Sequence, residues 1–267
     1  MILMDMQTIL LKLKDWFEDY TSGFYSDETM VQQNMMLKAE HTRRVCEVIL
    51  MIGGSLDLSS EDLSIAEICA LLHDIGRFEQ YKQYRTFLDQ KSKDHAALGA
   101  DVIQNLHVLD SIEPETAEVI VRTVKFHNHL VLPENQTLRG LLFLKLLRDA
   151  DKVDIWRVVT EYYHRSGNQR NRSIELDLPD EPQVSDAVYD ALMNKTLVQM
   201  ADLKTLTDLK LLQMGWVYDL NFPMTFRIVQ KKRFLESIRD ALPTSSSRVK
   251  EIYKLVQAHV AENAFQR

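Results

Sequence analysis

Ile65-Ala66-Glu67-Ile68-Cys69-Ala70-Leu71-Leu72-His73-Asp74-Ile75-Gly76-Arg77 is the stretch from which the fold is read. From Ile65 to Leu72 it is apolar almost all round, the pattern of a helix buried on every side. It ends in an adjacent histidine and aspartate, and Gly76 loosens the chain just beyond. Burying an imidazole and a carboxylate without compensating partners is costly, and a metal ion is one partner that removes the cost. The pair raises the question of whether the chain holds the further ligands a metal site needs.

The same helical spacing recurs outward in both directions. Only 8 Gly and 6 Pro interrupt 267 residues, and apolar residues recur three and four apart, so the fold class is all-α. Upstream, Asp5 to Tyr20 reads as an amphipathic helix with Ile9, Leu10, Leu13, Trp16 and Phe17 on one stripe. A second helix runs from a Ser26 N-cap through Asp27 and Glu28 to Met51, where Gly53-Gly54 stops it. It carries His41, with Val45, Val48 and Ile49 along its buried side. Ser59 or Ser60 caps the helix of the opening stretch.

Downstream, Gln80 to Lys93 reads as a loop or broken helix. Arg77, Lys82, Arg85, Lys91 and Lys93 against Glu79 and Asp89 leave this region at +3 in an acidic chain. It is either a phosphate-facing lid or a solvated loop. Asp94-His95-Ala96-Ala97-Leu98-Gly99-Ala100 begins another helix, and a further one starts at Pro114 and reaches His127. The next runs from Leu138 to about His164, apolar until Arg148-Asp149-Ala150-Asp151-Lys152. Breaks at 166–172 and 179–182 precede three helices expected over 184–208, 223–241 and 248–264. With Trp216 and Phe222 before it, the helix from Pro223 is a lid or a second core layer. The expected organisation is an N-terminal helix at 1–25, a ligand-bearing core at 26–165 and a C-terminal helical extension at 183–267.

Composition narrows the functional classes. The net charge of -7 argues against a nucleic-acid-binding surface, and no nucleic-acid domain is evident. Cys46 and Cys69 are too few for a disulfide framework and lack CxxC spacing, so they read as small buried hydrophobes in a reduced, cytoplasmic compartment. Asp5 follows Met1-Ile2-Leu3-Met4 at once, so no signal-peptide core is expected. The longest apolar run, about Val45 to Gly54, is broken by Glu47, and no membrane span is expected. A homodimer is compatible with the sequence.

His41, His73-Asp74, His95, His127 and Asp151 fall on five different helices at or near buried faces. Imidazoles and carboxylates converging from several helices of a bundle can build a dinuclear site. A carboxylate has two oxygens and can bridge two ions, whereas an imidazole donates to one. His107, His164 and His259 stand outside this pattern and read as structural.

In order and context these residues resemble the HD superfamily of metal-dependent phosphohydrolases. His41-Thr42-Arg43-Arg44-Val45 is similar to the family's opening motif and Leu72-His73-Asp74-Ile75-Gly76-Arg77 to its central motif. Asp149-Ala150-Asp151-Lys152-Val153-Asp154 is similar to its closing Asp-Lys motif. Asp94 to Ala100 and Phe126-His127-Asn128-His129 resemble the histidine stretches of members with two metals. The resemblance covers about residues 30–165 and implies an HD-domain helical bundle.

By that resemblance His41, His73, Asp74 and Asp151 hold one metal, and Asp74 bridges to a second held by His95 and His127. It implies one or two divalent ions, with Mn, Fe, Mg, Co, Ni and Zn all open. Asp149 and His129 compete for two of the positions. Asp151 is taken because the family's ligand precedes the Lys, and His127 because it continues its helix. The implied activity is phosphomonoester or phosphodiester hydrolysis of a nucleotide or other small phosphorylated metabolite by a metal-bound hydroxide. Asp74 and Lys152 are the candidate catalytic groups, and Arg44 and Arg77 the candidate substrate-binding ones. The alternatives are a di-iron oxygenase similar to myo-inositol oxygenase, with the same ligands, and a metal-binding regulatory protein. The Gly-Tyr-Pro signature of cyclic-di-GMP-hydrolysing relatives is absent.

Overall fold

A computed structural model describes residues 5–165 and 172–265; the apolar start at 1–4 and most of the loop at 166–172 lie outside the described residues. Among the described residues there are helices and no strands. The chain divides into two compact units, residues 1–151 and 152–267. The sequence placed the division at the 166–182 break.

In the first unit, α1 (Met6–Ser22), α2 (Thr29–Gly54) and α6 (Pro114–Phe126) pack around α3 (Ser60–Leu72). Apolar all round, α3 is buried throughout from Ser64 to Leu72, because each face meets another helix rather than water. Full burial of a large apolar side chain contributes roughly 1.5–3 kcal/mol, and Ile65, Ile68 and Leu72 all reach it. Ser59 caps α3 by accepting a hydrogen bond from the Asp62 N–H. In α1 the buried stripe is Ile9, Leu10, Leu13, Phe17 and Thr21. Trp16, expected on that stripe, is partly buried and stacks on Tyr20.

One expectation for α2 is corrected and one holds. Its N-cap is Glu28, and the Ser26 hydroxyl instead accepts from the Glu28 N–H at 3.1 Å. The helix ends at Gly54, within the Gly53-Gly54 pair expected to stop it. A Cβ on Gly53 would lie 2.9 Å from Leu63 Cδ2, so this glycine admits α3 to close packing. Both cysteines are buried, with Cys46 Sγ 3.8 Å from the Glu67 carbonyl. Burial is the main influence on both thiols, raising Cys46 strongly and pushing Cys69 up to about 12.

After His73-Asp74-Ile75 the chain re-enters a helix, α4 (Gly76–Tyr84), followed by a 3-10 turn at Asp89–Lys91 and α5 (His95–Asn105). The two helices cross at Gly76, where a Cβ would lie 2.2 Å from the His95 carbonyl oxygen and 2.5 Å from the Gly99 nitrogen. Pro114 starts α6 at its first helical turn, and α7 (Leu138–Tyr163) carries Asp151.

The second unit contains the end of α7, then α8 (Arg172–Glu175), α9 (Asp186–Met193), α10 (Leu206–Gly215), α11 (Pro223–Lys232), α12 (Phe234–Asp240) and α13 (Ser247–Asn263). The single helix expected over 184–208 is α9, an irregular connector and the start of α10. Its break is organised by Asp208, whose buried carboxylate accepts from the Ser185 N–H and hydroxyl and from the Lys204 N–H. The helix expected over 223–241 is interrupted at Arg233, which adopts φ 56°. α11 packs on α13 and is a core layer, with Phe226 and Val229 buried. No helix among the described residues is long and apolar enough to cross a membrane.

Candidate metal centre

Five helices or helix ends of the first unit bring His41, His73, Asp74, His95, His127 and Asp151 together. His73 closes α3, Asp94 caps α5 just before His95, and His127 closes α6. Asp94 accepts from the Ala97 N–H at 2.9 Å and from Asn128 Nδ2 at 3.1 Å, tying the start of α5 to the end of α6. Three overlapping groups could each hold a metal ion: His41, His73 and Asp74; His73, His127 and Asp151; Asp74, His95 and His127.

The two oxygens of Asp74 face different partners. Oδ2 lies 3.6 Å from His41 Nε2 and 3.7 Å from His73 Nε2. Oδ1 lies 3.4 Å from His95 Nε2 and 4.0 Å from His127 Nε2. Asp151 Oδ1 belongs with the first pair, 3.1 Å from His41 Nε2 and 3.8 Å from His73 Nε2.

Three of the imidazoles have their proton position fixed by the surrounding chain. His73 Nδ1 donates to the Ala70 carbonyl and His127 Nδ1 to the Val124 carbonyl, each at 2.7 Å. His95 Nδ1 donates to Asp89 at 2.8 Å. A carbonyl can only accept, so Nδ1 carries the proton and Nε2 offers a lone pair to the centre. Burial is the first cause that keeps these rings neutral: it lowers His73, and it takes His95 and His127 to about 4.

This donor set fits a divalent metal. His95 Nε2 and His127 Nε2, both lone-pair bearers, stand 3.2 Å apart. Neutral acceptors have no attraction at that distance, yet about 3 Å is the spacing of neighbouring ligands on one ion at metal–nitrogen distances near ~2.1 Å. The carboxylates are charged despite their burial. Burial alone would raise Asp74, but Lys38, His73, Arg77 and His95 hold it well below the ordinary range. Burial likewise opposes ionisation of Asp151, and the hydrogen bond to His41 with the nearby His73 overcomes it.

Between the competing ligand positions, the cluster contains Asp151 and His127. His129 is exposed against the Phe126 ring. Its carbonyl and that of His127 accept from the buried Arg148. Asp149 is buried elsewhere on α7 and joins none of the three groups.

The other expected site residues lie differently. Lys152 pairs with Asp219 at 2.6 Å within the second unit. Arg44 pairs along its own helix with Glu40 at 3.8 Å. Arg77 Nε lies 3.5 Å from Asp74 Oδ1, while its Nη1 donates to Gln80, the Phe87 carbonyl and Asp89. In the basic stretch Lys82 pairs with Glu79 and Arg85 with Glu28, both near the surface. His107 is an exposed partner of Asp110, and His164 Nδ1 bonds the Thr160 carbonyl within its own helix. His259 lies between the Tyr218 and Phe226 rings.

Three residues at the centre went unread in the sequence. Lys38 Nζ lies 2.7 Å from Asp74 Oδ2; its position three residues before His41, on the same helical face, was the available signal. Asp89 orients His95 from a stretch that reads as merely basic. Arg148 holds the end of α6 from a run of charges in which the aspartates draw attention first.

Residues 39–156 match the family model described as the HD domain. No curated protein and no solved structure matches the chain.

Proposed function

We propose, from the match of residues 39–156 to the HD domain, that the chain is a metal-dependent phosphohydrolase of the HD superfamily. Its substrate in this reading is a nucleotide or another small phosphorylated metabolite. The observation that carries the proposal is the division of Asp74, with Oδ2 toward His41 and His73 and Oδ1 toward His95 and His127. A carboxylate so placed can serve two ions at once.

His41, His73, Asp74 and Asp151 are the proposed ligands on one side, and Asp74, His95 and His127 on the other. Divalent ions bound there supply Lewis-acid activation of water and neutralise charge on a phosphoryl group. The chain holds the donors ready: the hydrogen bonds to Ala70, Val124 and Asp89 aim Nε2 of three rings inward, so little reorganisation is needed. Burial keeps those rings neutral and therefore able to ligate. Lys152 pairs with Asp219 and Arg44 with Glu40, and this scheme assigns neither a catalytic step.

The test is metal analysis of purified protein followed by a screen of phosphorylated metabolites with Mn, Mg, Co or Ni added. Phosphate or nucleotide release that disappears in Asp74→Ala is the expected result. Substrate-dependent oxygen uptake by iron-loaded protein, with every phosphorylated compound untouched, would instead mark an oxygenase on the same ligands.

A further inference from the structure

Lys38 is the cation that faces the proposed bridging carboxylate. Its side chain is 19% exposed and its Nζ lies 2.7 Å from Asp74 Oδ2. That is the oxygen turned toward His41 and His73, the one an ion held by those residues would require. On its other side the ammonium lies 5.4 Å from the Phe87 ring centroid. Phe87 is held in place by its own carbonyl, which accepts from Arg77 Nη1 at 2.6 Å.

An ammonium and a divalent ion cannot share one buried oxygen without strong repulsion. We infer that Lys38 neutralises Asp74 before metal arrives, competes with the divalent cation for that carboxylate, and, once displaced, turns its ammonium to the substrate's anionic group beside Phe87. The π face of Phe87 gives the displaced cation a second resting place. Arg77 is less suited to the substrate role, because its Nη1 is already committed to Gln80, Phe87 and Asp89. Lys38 has a long flexible stem and its polar partner among the described residues is Asp74. No covalent step is involved.

The inference rests on the phosphohydrolase reading, and the full-length protein can test both together. Lys38→Met keeps the length of the stem and removes the charge. Calorimetric titration of the metal-free variant with Mn2+ should give binding roughly tenfold tighter than wild type, the scale of a lost charge-assisted hydrogen bond. A purely structural ion pair would act oppositely, since losing it would loosen the site. The Mn2+-loaded variant should bind inorganic phosphate about tenfold more weakly than loaded wild type. Lys38→Arg should stay within about threefold of wild type for phosphate.

Equal or weaker Mn2+ binding by Lys38→Met overturns the competition. Unchanged phosphate affinity in that variant overturns the substrate role. Wild-type protein that takes up Mn2+ and no phosphate would overturn the phosphohydrolase reading and the substrate role with it. Wild type binding both, with Lys38→Met indistinguishable from it, would overturn the Lys38 inference alone. Should Lys38→Met not fold, Lys38→Gln carries the same comparison.

Discussion

Single side chains make the sharpest claims. Asp74→Ala should remove metal from both halves of the centre, whereas His95→Ala or His127→Ala should weaken mainly the half facing Oδ1; metal content measured on purified variants checks this. Asp89 accepts from His95 Nδ1 and also from Arg77 and Gln80, so it holds the ring from outside the ligand set. Asp89→Ala should release the ring to rotate or exchange tautomers and weaken metal affinity about 10–100-fold while leaving the fold intact. At this scale the sequence was legible where a residue type announces its chemistry. Histidines and aspartates on separate helical faces could be found by inspection. Lys38 and Asp89 could not, because a lysine or an aspartate in a helix or loop is ordinarily solvated, and only the tertiary fold brings these two against Asp74 and His95.

At the scale of elements, the centre depends on how closely α4 and α5 approach. Gly76→Ala would put a methyl group where the His95 carbonyl oxygen lies 2.2 Å from the Cβ position. Backbone cannot step aside as a flexible side chain can, so the helices must separate. The expected cost is about 2–3 kcal/mol, read by urea denaturation, together with weaker metal binding at His95. Most helices of the first unit were legible from their apolar surface and a recognisable cap or start, such as Ser59, Asp94 and Pro114; α4, which has no side-chain cap and overlaps the stretch read as a loop or broken helix, was not. The second unit was less legible. Arg233 turns the chain between α11 and α12 without a glycine or proline to signal it. Before α10, Asp208 collects backbone N–H groups from Ser185 at the start of α9 and from Lys204 at the end of the connector, a long-range arrangement that no local window contains.

For the whole molecule, the neutral histidines link folding to pH. In metal-free protein His95 and His127 protonate only near pH 4, whereas an unfolded chain takes up those protons near its ordinary 6.5. The unfolded state therefore binds more protons between these values. Stability should fall as pH drops from about 6.5 to 4, by up to roughly 1.4 kcal/mol per pH unit for each histidine. Urea midpoints measured in the presence of chelator check the sign. The depressed Asp74 and Asp151 extend the loss at lower pH still, because their contribution disappears as they protonate. Metal should oppose unfolding, adding about 2.7 kcal/mol at a free concentration one hundred times its dissociation constant. Cys46 and Cys69, closed off in this same unit, provide a way to time such openings. An alkylating reagent reacts with thiolate that solvent can reach, and the folded chain offers it neither access nor ionisation. The rate of alkylation would report how readily the metal-binding unit opens, so mass spectrometry of labelled protein against time would follow that opening, and the rate should drop when the centre is loaded.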